Sequence, residues 1–502
     1  MREKVLALIE KSPGSGQFWL IDLADNTAAA FLNTPSERQL LEHNLTVFVH
    51  AKRDFSTLGF EPSPTWRVMC LSTIKKLIGK SIHETITRPD FQDAEQAVVW
   101  CKSAMAYALL HIEKQNMAFL NDLECRVIIA TLAMEQKGLP FDKVLWQKSL
   151  AIFAQKNEAI KARLLDLLKV DGGFSLFGPT PIDLNNHHAV KEALEKLIGH
   201  KLKSTGQASL KEIDHEAAGL LMEYRELARM ESAYGESFLA KIDDRLRGNY
   251  EPIGSASGRF SCHDPNLLAL PNHEAFQTCL MPKKGRSLLR FDYNACEIRI
   301  LAGLSQDQAL IDIFSRQEDI HSMVASKIFG QEVSKTKNAH LRDQAKVLNF
   351  GIIYGMGEQA MAAQLKISLA QAESLLKNYF KQFCKVHQYL LGLEEEARKD
   401  GFVTTALMRR GYFDADDFNP RVARNLPIQG TGADIIKLAM CRIFSALFGQ
   451  GLDAAIVNVV HDEIVIETGD GDKEAVCRLV MHEMEQAFSM VVPNVPAVVN
   501  FK

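Results

Sequence analysis

The sequence lacks three features that would narrow its class at once: a run of 18 apolar residues, a CxxC pair, and an excess of basic charge. Without the first, no ordinary transmembrane helix is predicted, and the N-terminal MREKVLALIEKSPG has no apolar core of a secretory signal. The nine scattered cysteines predict neither zinc knuckles nor a disulfide framework, so we expect a reducing, cytoplasmic location. The net charge of −4 gives no sign of nucleic-acid binding, although a groove needs only local positive charge.

The composition that is present is that of an ordinary globular protein, with 47% apolar and 24% charged residues in a chain of 502. This length predicts about three domains. The first 120 or so residues alternate strand and helix, which predicts an α/β layer; from about residue 121 onward long helices dominate and the pattern is mixed α+β. Helices are predicted at residues 94–114, 121–136, 145–170 and 211–230, and strands at residues 18–24, 45–51, 287–292, 455–460 and 464–467.

The segment SLLRFDYNACEIR, residues 287–299, combines an apolar strand with two carboxylates. The strand ends near Asp292, and Glu297 follows at the start of a predicted helix. A carboxylate at the end of a buried strand needs a partner. Taken alone, the segment is explained most simply by a helix cap.

The segment RDQAKVLNFGIIYGMG, residues 342–357, predicts a helix with an unusual face. Residues spaced by four share one side of a helix, and these are Arg342, Lys346, Phe350 and Tyr354. Two cations followed by two aromatics suit a ligand with phosphates at one end and a planar ring at the other. An amphipathic helix with snorkelling cations explains the same spacing, so the segment alone does not decide.

The segment VNVVHDEIVIE, residues 457–467, predicts a tight hairpin with Asp462 at its tip. An acidic turn is usually no more than a solvated turn. If Asp462 lay beside Asp292, the two carboxylates could hold two divalent ions for phosphoryl transfer. The two positions are 462 − 292 = 170 residues apart, and the sequence alone does not make them neighbours.

In their order along the chain, the three segments resemble motifs A, B and C of the A-family DNA polymerases, the group of bacterial DNA polymerase I. The resemblance covers about residues 121–502. It rests on SGRFS and DPNL within 257–267, DYNACEIR at 292–299, DIH at 319–321, RDQAKVLNFGIIYG at 342–355, PIQGTGADII at 427–436 and VHDEIV at 460–465. It implies a right-hand polymerase, with the thumb near residues 139–250, the fingers about 310–420, and the palm in the remainder of 121–502.

The resemblance also implies a reaction, in which a DNA-directed DNA polymerase extends a primer 3′-OH with deoxynucleoside triphosphates. Asp292 and Asp462 would bind two Mg²⁺ ions, with Mn²⁺ as an alternative metal. Arg342, Lys346 and His321 would hold the triphosphate, and Lys346 would also protonate the departing pyrophosphate. A deoxynucleotide and two magnesium ions are therefore the expected ligands of this site.

The same resemblance assigns the sugar pocket and the DNA contacts. Phe350 and Tyr354 would bracket the base and sugar, and Glu297 would fill the space of a ribose 2′-OH. The residues implied to line the primer–template minor groove are Arg259, Asn266, Arg421, Asn425, Gln429 and His461. We expect a monomer that binds primer–template DNA and no membrane.

Residues 1–120 stand where the family carries an RNase H-like 3′–5′ exonuclease, and the chain is too short for the usual 5′-nuclease. The exonuclease needs four carboxylates for two metals. The sequence predicts that the strand with the Asp-x-Glu pair is missing, that Asp54 survives, and that Trp100 to Ala104 replace the third acidic motif. One carboxylate cannot hold two metals, so we expect a degenerate domain and no proofreading.

Two other functions are alternatives to DNA synthesis. The related single-subunit RNA polymerases are disfavoured by Glu297, which would block a 2′-OH. A catalytically dead DNA-binding scaffold is disfavoured because binding alone needs neither Asp292 nor Asp462.

One further departure from the family is Cys296, which replaces a larger apolar residue beside Glu297.

Overall fold

The computed structural model of the protein describes residues 4–10, 18–22, 27–31, 45–49, 67–78, 93–168, 171–175, 178–316 and 318–502. In chain order, the helices of these ranges are α1 (Leu71–Ile78), α2 (Ala94–Lys114), α3 (Ala118–Lys137), α4 (Lys143–Leu168), α5 (His187–Ile198), α6 (Gln207–Leu210), α7 (Glu216–Tyr234), α8 (Glu236–Leu239), α9 (Glu274–Cys279), α10 (Cys296–Ser305), α11 (Gln308–Ser315), α12 (Ile320–Phe329), α13 (Ala339–Ile353), α14 (Glu358–Leu365), α15 (Leu369–Gln382), α16 (Cys384–Asp400), α17 (Pro420–Gln450) and α18 (Lys473–Val491). Within these ranges we find no helix whose length and apolar character would let it span a membrane.

The strands of the same ranges are β1 (Lys4–Glu10), β2 (Phe18–Asp22), β3 (Thr27–Phe31), β4 (Leu45–Val49), β5 (Arg67–Cys70), β6 (Leu139–Pro140), β7 (Asp171–Ser175), β8 (Gly178–Pro181), β9 (Arg245–Leu246), β10 (Asn249–Glu251), β11 (Ser261–His263), β12 (Arg286–Tyr293), β13 (Phe402–Thr404), β14 (Arg410–Tyr412), β15 (Ala454–Val460), β16 (Glu463–Gly469) and β17 (Val499–Phe501). The chain forms two compact units. The larger unit comprises Met1–Gly138, Arg247–Ala269 and Pro282–Lys502, and the smaller comprises Leu139–Leu246 and Leu270–Met281.

The N-terminal part of the larger unit contains a five-stranded sheet in the order β3-β2-β1-β4-β5. Strand β2 is antiparallel to β1 and β3, whereas β4 is parallel to β1 and β5. The predicted strands at 18–24 and 45–51 are confirmed as β2 and β4, and the predicted helix at 94–114 is confirmed as α2.

The prediction that the first strand of this sheet is missing is wrong. Strand β1 is present at the centre of the sheet, between β2 and β4. The prediction failed because it relied on the Asp-x-Glu signature, and the sequence of β1, KVLALIE, does not contain that pair. Asp54 lies outside the described residues.

The central sheet of the larger unit is antiparallel, in the order β15-β16-β12-β17. Its strand β16 is rich in buried β-branched residues, Ile464, Val465 and Ile466, as a strand covered by helices requires. Helix α17 packs against α18, α10 and β15. It begins after Asn419, whose side chain accepts from the N–H of Arg421, and it ends at the left-handed Gly451.

The smaller unit is built on a helix pair, α4 and α7, with an aromatic core. The ring of Trp146 lies 4.9 Å from that of Phe276 and 5.8 Å from that of Phe153, and its Nε1–H donates to the carbonyl of Tyr234 at 2.8 Å. The helices predicted at 145–170 and 211–230 are confirmed as α4 and α7. Helix α7 begins later than predicted, at Glu216, because His215 caps it through the N–H of Ala217.

Candidate active site

Two carboxylates meet at one end of the central sheet. Asp292 is the second-last residue of β12, and Asp462 lies in the two-residue turn between β15 and β16. In the register of β12 and β16, Asp292 is opposite Glu463, and the N–H of Tyr293 donates to the carbonyl of Asp462 at 3.4 Å. Sheet pairing therefore makes neighbours of two residues that the sequence separates by 170 positions.

The backbone next to these carboxylates is held in an unusual conformation. Ala295, which precedes α10, has φ of 51°, and His461, which precedes Asp462, has φ of 54°. Residues other than glycine rarely adopt this left-handed region, and such backbone concentrates at functional sites. The two turns that deliver Glu297 and Asp462 both have this feature.

The electrostatics of the carboxylate pair leave it open to a cation. Burial raises the pKa of Asp462, and the charges of Asp292 and Glu297 raise that pKa further. Asp292 accepts a hydrogen bond from Asn500 Nδ2 at 3.4 Å, and in the described part of the chain no Lys or Arg forms an ion pair with Asp292 or Asp462. The uncompensated pair fits a divalent cation, whose charge would offset the repulsion.

The pair is not a complete protein cage for a metal. Among the described residues, no group of three or more His, Cys, Asp or Glu side chains could hold a metal ion. Magnesium is nevertheless often bound through one or two carboxylates, with substrate phosphates and water as the other ligands. The donor set therefore suits a metal that arrives with a phosphate ligand.

Glu297, in the first turn of α10, is held by two donors. Arg259 Nη2 donates to Glu297 Oε1 at 2.5 Å, and the hydroxyl of Tyr354 donates to Glu297 Oε2 at 3.1 Å. Burial, followed by the charge of Glu297, raises the pKa of Tyr354, which keeps this hydroxyl a donor. The contact joins three residues that are far apart in the sequence.

A cavity of about 320 Å³ opens beside Glu297 and Asp462. The residues predicted from the sequence that line it are Arg259, Glu297, Phe350, Tyr354, His461 and Asp462. Phe350 and Tyr354, as whole residues, are 37% and 44% exposed, and both line one wall of the cavity. An opening with aromatic and acidic walls can accept a planar ring joined to a sugar.

The predicted helical face is present on α13, and its cations lie toward the start of that helix. Arg342 donates to both carboxylate oxygens of Asp319, through Nε and Nη2, each at 2.8 Å. His321 Nδ1 lies 3.1 Å from Asn349 Nδ2, and burial lowers the pKa of this imidazole. Lys346 is exposed, and its positive charge contributes to the same lowering.

Three of the predicted DNA contacts share a face of α17. Arg421, Asn425 and Gln429 are spaced by four in the first turns of this helix. Gly355, with φ of 64°, packs on Arg421, because a Cβ at this glycine would lie 3.1 Å from the Arg421 Cα. The tight contact brings the end of α13 against the start of α17.

The structure does not place every predicted residue at the cavity. Asn266 uses its side-chain oxygen locally, accepting from the N–H of Leu268 at 3.0 Å. The predicted residues that do not line the cavity are Asp292, His321, Arg342, Lys346, Asn266, Arg421, Asn425 and Gln429.

Sequence reasoning assigned no role to several residues that line the cavity or support it. Gly432 and Ala433 of α17 form part of the wall, and their small size was a usable signal within PIQGTGADII. Asp319, which both caps α12 and holds Arg342, was recognised only as part of DIH. Asn500, the partner of Asp292, carried no signal.

Comparisons with known proteins agree with this geometry. The family model that matches is DNA polymerase family A, over residues 156–502. DNA polymerase I of Caldicellulosiruptor bescii is 34% identical over 421 residues, which are 80% of this chain and 49% of that protein. DNA polymerase I of Geobacillus stearothermophilus is 30% identical over 419 residues, 79% of this chain and 47% of that protein. The chain thus spans about half the length of the curated relatives it matches.

A solved structure of the POL domain of Pol1 from M. smegmatis, in complex with DNA primer-template and dNTP, has the same fold. Its TM-score is 0.83 at 23% sequence identity, and the match covers 99% of this chain and 94% of that chain. The predicted fold class, an α/β region followed by a mixed α+β polymerase fold, is confirmed at this level. Because the family model matches more than half of the sequence, the chain belongs to DNA polymerase family A.

Proposed function

We propose that the chain is a DNA-directed DNA polymerase, which extends a primer 3′-OH with deoxynucleoside triphosphates by phosphoryl transfer. The observation that carries the proposal is the juxtaposition of Asp292 and Asp462 across β12 and β16, beside a cavity walled by Phe350 and Tyr354. The membership of family A supports it, as does the fold shared with a Pol1 domain that binds primer-template and dNTP.

Asp292 and Asp462 would hold two magnesium ions. When bound, these ions supply Lewis-acid stabilisation of charge on the attacking and leaving oxygens. The two carboxylates contribute the negative charge that retains the cations, and the strands fix their positions before substrate arrives. Phosphoryl transfer depends more on such positioning than on covalent help from the protein.

Arg342, Lys346 and His321 would bind the triphosphate. Arg342 is already orientated by Asp319, so its fork is presented in a fixed direction, and its Nη1 has only the longer 3.9 Å ion pair with the exposed Asp343. Lys346 is exposed and free to move to the phosphates, and it is the residue we assign to protonating pyrophosphate. Phe350 and Tyr354 would stack on the base, while Glu297 fills the space beside the 2′-carbon of the sugar.

The duplex would lie against residues that check its shape. We assign minor-groove contacts to Arg259, Asn266, Arg421, Asn425, Gln429 and His461. Contacts of this kind position a duplex and carry little sequence information. The names thumb, for residues 139–250, and fingers, for 310–420, are part of the same proposal. The smaller compact unit contains most of the part we call the thumb, together with Leu270–Met281.

We further propose that the enzyme does not proofread. Strand β1 has the sequence KVLALIE and no Asp-x-Glu pair, and the segment from Trp100 to Ala104 in α2 contains no acid. A two-metal exonuclease cannot be assembled from so few carboxylates. The expected result is that a mismatched primer end is not trimmed by the purified protein in magnesium.

The experiment that tests the main proposal is primer extension on a labelled primer–template in magnesium, with either deoxynucleotides or ribonucleotides. We expect extension with deoxynucleotides only. Asp462→Asn should abolish it, whereas the matched control Asp453→Asn, an exposed carboxylate at the other end of the sheet paired with Arg286, should extend as the parent does. Extension with ribonucleotides alone, or none by the parent, would refute the proposal.

A further inference from the structure

A cluster of four charged side chains lies buried in the larger unit, under the turn that carries Arg259. It consists of Glu124 from α3, Arg409 from the loop between β13 and β14, and Asp434 and Lys437 from α17; none of these side chains is more than 3% exposed. Arg409 Nη2 donates to Glu124 Oε1, and Arg409 Nε donates to Asp434 Oδ1 at 2.8 Å. Lys437 Nζ donates to Glu124 Oε1 at 2.5 Å. The two negative and two positive side chains give the cluster no net formal charge.

The cluster supports both chain neighbours of Arg259. Gly258 has φ of 78°, and a Cβ at this position would lie 2.5 Å from Arg409 Nε and 2.7 Å from Arg409 Cζ. The backbone of the turn therefore rests on the guanidinium. On the other side, the ammonium of Lys437 lies 5.5 Å from the centre of the Phe260 ring, within the range of a cation–π contact.

A third contact fixes the same turn to α17. A Cβ at Gly430 would lie 2.5 Å from Thr405 Cγ2 and 3.1 Å from the carbonyl of Ser257. Thr405 Oγ1 in turn donates to Asp434 Oδ2 at 2.6 Å. The turn is thus contacted by groups from two separate parts of the chain, the loop that carries Arg409 and helix α17.

The cluster is not arranged for stability alone. Arg409 Nη1 and Glu124 Oε2 are buried and have no hydrogen-bond partner among the described residues. A buried ionic network that is only partly satisfied is a poor source of stability compared with apolar packing of the same volume. What such a network provides is fixed geometry, because each charged group is satisfied only when its partners occupy a few defined positions.

We propose that Arg409, held by Glu124 and Asp434, is a positioning residue that sets how firmly Arg259 fixes the Glu297 carboxylate, and thereby sets discrimination between deoxyribonucleotides and ribonucleotides. The inference rests on the proposed polymerase function. Arg259 follows Gly258 directly and donates to Glu297 at 2.5 Å, so a shift of the turn moves this donor. A shorter ammonium in place of the guanidinium can meet one carboxylate but not present a flat face to Gly258.

The test is single-nucleotide incorporation by Arg409→Lys, with kcat and KM measured separately for a deoxynucleotide and its ribonucleotide. We expect the ratio of the two kcat/KM values to fall by about three- to tenfold, the range for loss of one hydrogen bond. The control is Val476→Ala, a buried position on α18 away from the turn, which should lower the unfolding temperature but leave this ratio unchanged.

A double-mutant cycle separates positioning from general damage. In a Glu297→Ala background, Arg409→Lys should change the ratio no further, because the carboxylate it acts through is gone. An additive effect, or a parental ratio in Arg409→Lys, would overturn the inference. If Arg409→Lys does not fold, Lys437→Met takes its place with the same expectation. A parent that incorporates no deoxynucleotide would instead refute the proposed function.

Discussion

Two pairs of carboxylates in the larger unit differ in whether cationic side chains balance their negative charge. Glu124 and Asp434 are buried against Arg409 and Lys437, with donor–acceptor contacts to both cations. Asp292 and Asp462 lie at the end of a sheet and have no cationic partner among the described residues. The two pairs also differ in burial, since Glu124 and Asp434 are at most 1% exposed whereas Asp292 and Asp462 are only half-buried.

The pKa values follow this difference. Burial raises the pKa of Glu124, but the charges of Lys437 and Arg409 outweigh it, and the pKa is lowered overall. Burial also raises the pKa of Asp462, and there the neighbouring Asp292 and Glu297 add to the effect. An acid that the protein itself neutralises is structural, whereas an acid left without compensation is suited to an external cation.

The largest effect is expected at the uncompensated pair. Asp292→Ala or Asp462→Ala should lower nucleotide incorporation by on the order of 10³-fold or more, because each removes a proposed metal ligand. Binding of primer–template, measured by fluorescence anisotropy, should stay within a few-fold of the parent. Retention of more than a tenth of the parental extension rate in either variant would contradict the metal assignment.

Substitution in the compensated pair, Glu124 and Asp434, should lower the free energy of unfolding. Glu124→Ala leaves two buried cations with one acid, and removal of one partner from such a cluster costs about 3–5 kcal/mol of unfolding free energy. The measurement is urea unfolding. The control is Glu251→Ala, which breaks the exposed pair with Lys76 (3.2 Å) and should cost no more than about 1 kcal/mol. Equal losses in the two variants would remove the contrast between buried and exposed pairs.

The sequence predicted the elements that carry the site better than the contacts within it. Periodicity predicted β12, the hairpin of β15 and β16, and the face of α13, because each is a local pattern of apolar and polar residues. Motif resemblance supplied the identity of Asp292 and Asp462 as a pair. Their proximity depends on strand order, which local patterns do not encode.

Other features lay beyond local patterns for the same reason. The contact of Arg259 with Glu297 joins separate segments, as does the cluster around Arg409, and neither has a spacing that a sequence reveals. Strand β1 was missed because its expected acids are gone, although its alternation of residues still forms the centre of a sheet. Signatures of function and signatures of fold can therefore be lost independently.

A smaller effect, on the unfolding temperature, should differ in sign between an acid without a cationic partner, Asp462, and an acid paired with a cation, Asp453. Because the pKa of folded Asp462 is raised above its ordinary 3.8, stability from this group is present below that value and lost as pH rises through the raised value. At neutral pH the ionised side chain is destabilising, so Asp462→Asn should raise the unfolding temperature. Asp453→Asn should not, because the hydrogen bond from Arg286 lowers the pKa of Asp453.

The effect of magnesium on the unfolding temperature tests the metal assignment without any assay of activity. A cation that binds the folded carboxylate pair stabilises it by mass action. Magnesium should therefore raise the unfolding temperature of the parent and of Asp453→Asn, and should do so much less for Asp462→Asn. Identical magnesium responses in all three proteins would mean that Asp462 does not hold the metal.

Glu297 is the intermediate case, and among the acids at the site the smallest effect on incorporation is expected there. It lies beside the uncompensated pair, but it has one cationic partner, Arg259, and one hydroxyl partner, Tyr354. We therefore expect it to act by filling space rather than by holding metal. Glu297→Ala should reduce the preference for deoxynucleotides by about tenfold, since a void beside the sugar admits a hydroxyl that the side chain excluded.

The isosteric change Glu297→Gln separates the volume of this side chain from its charge. Gln keeps the length of the side chain and an oxygen that accepts from Arg259 or Tyr354, so the preference for deoxynucleotides should stay closer to that of the parent than in Glu297→Ala. If Glu297 were instead a metal ligand like Asp462, Gln would be nearly as damaging as Ala, and both would lower incorporation of every nucleotide. Single-nucleotide kinetics with paired deoxy- and ribonucleotides on one primer–template distinguish the two outcomes. Loss of a side chain that fills the space of the 2′-OH changes the ratio of the two incorporation rates, whereas loss of a metal ligand lowers both rates together.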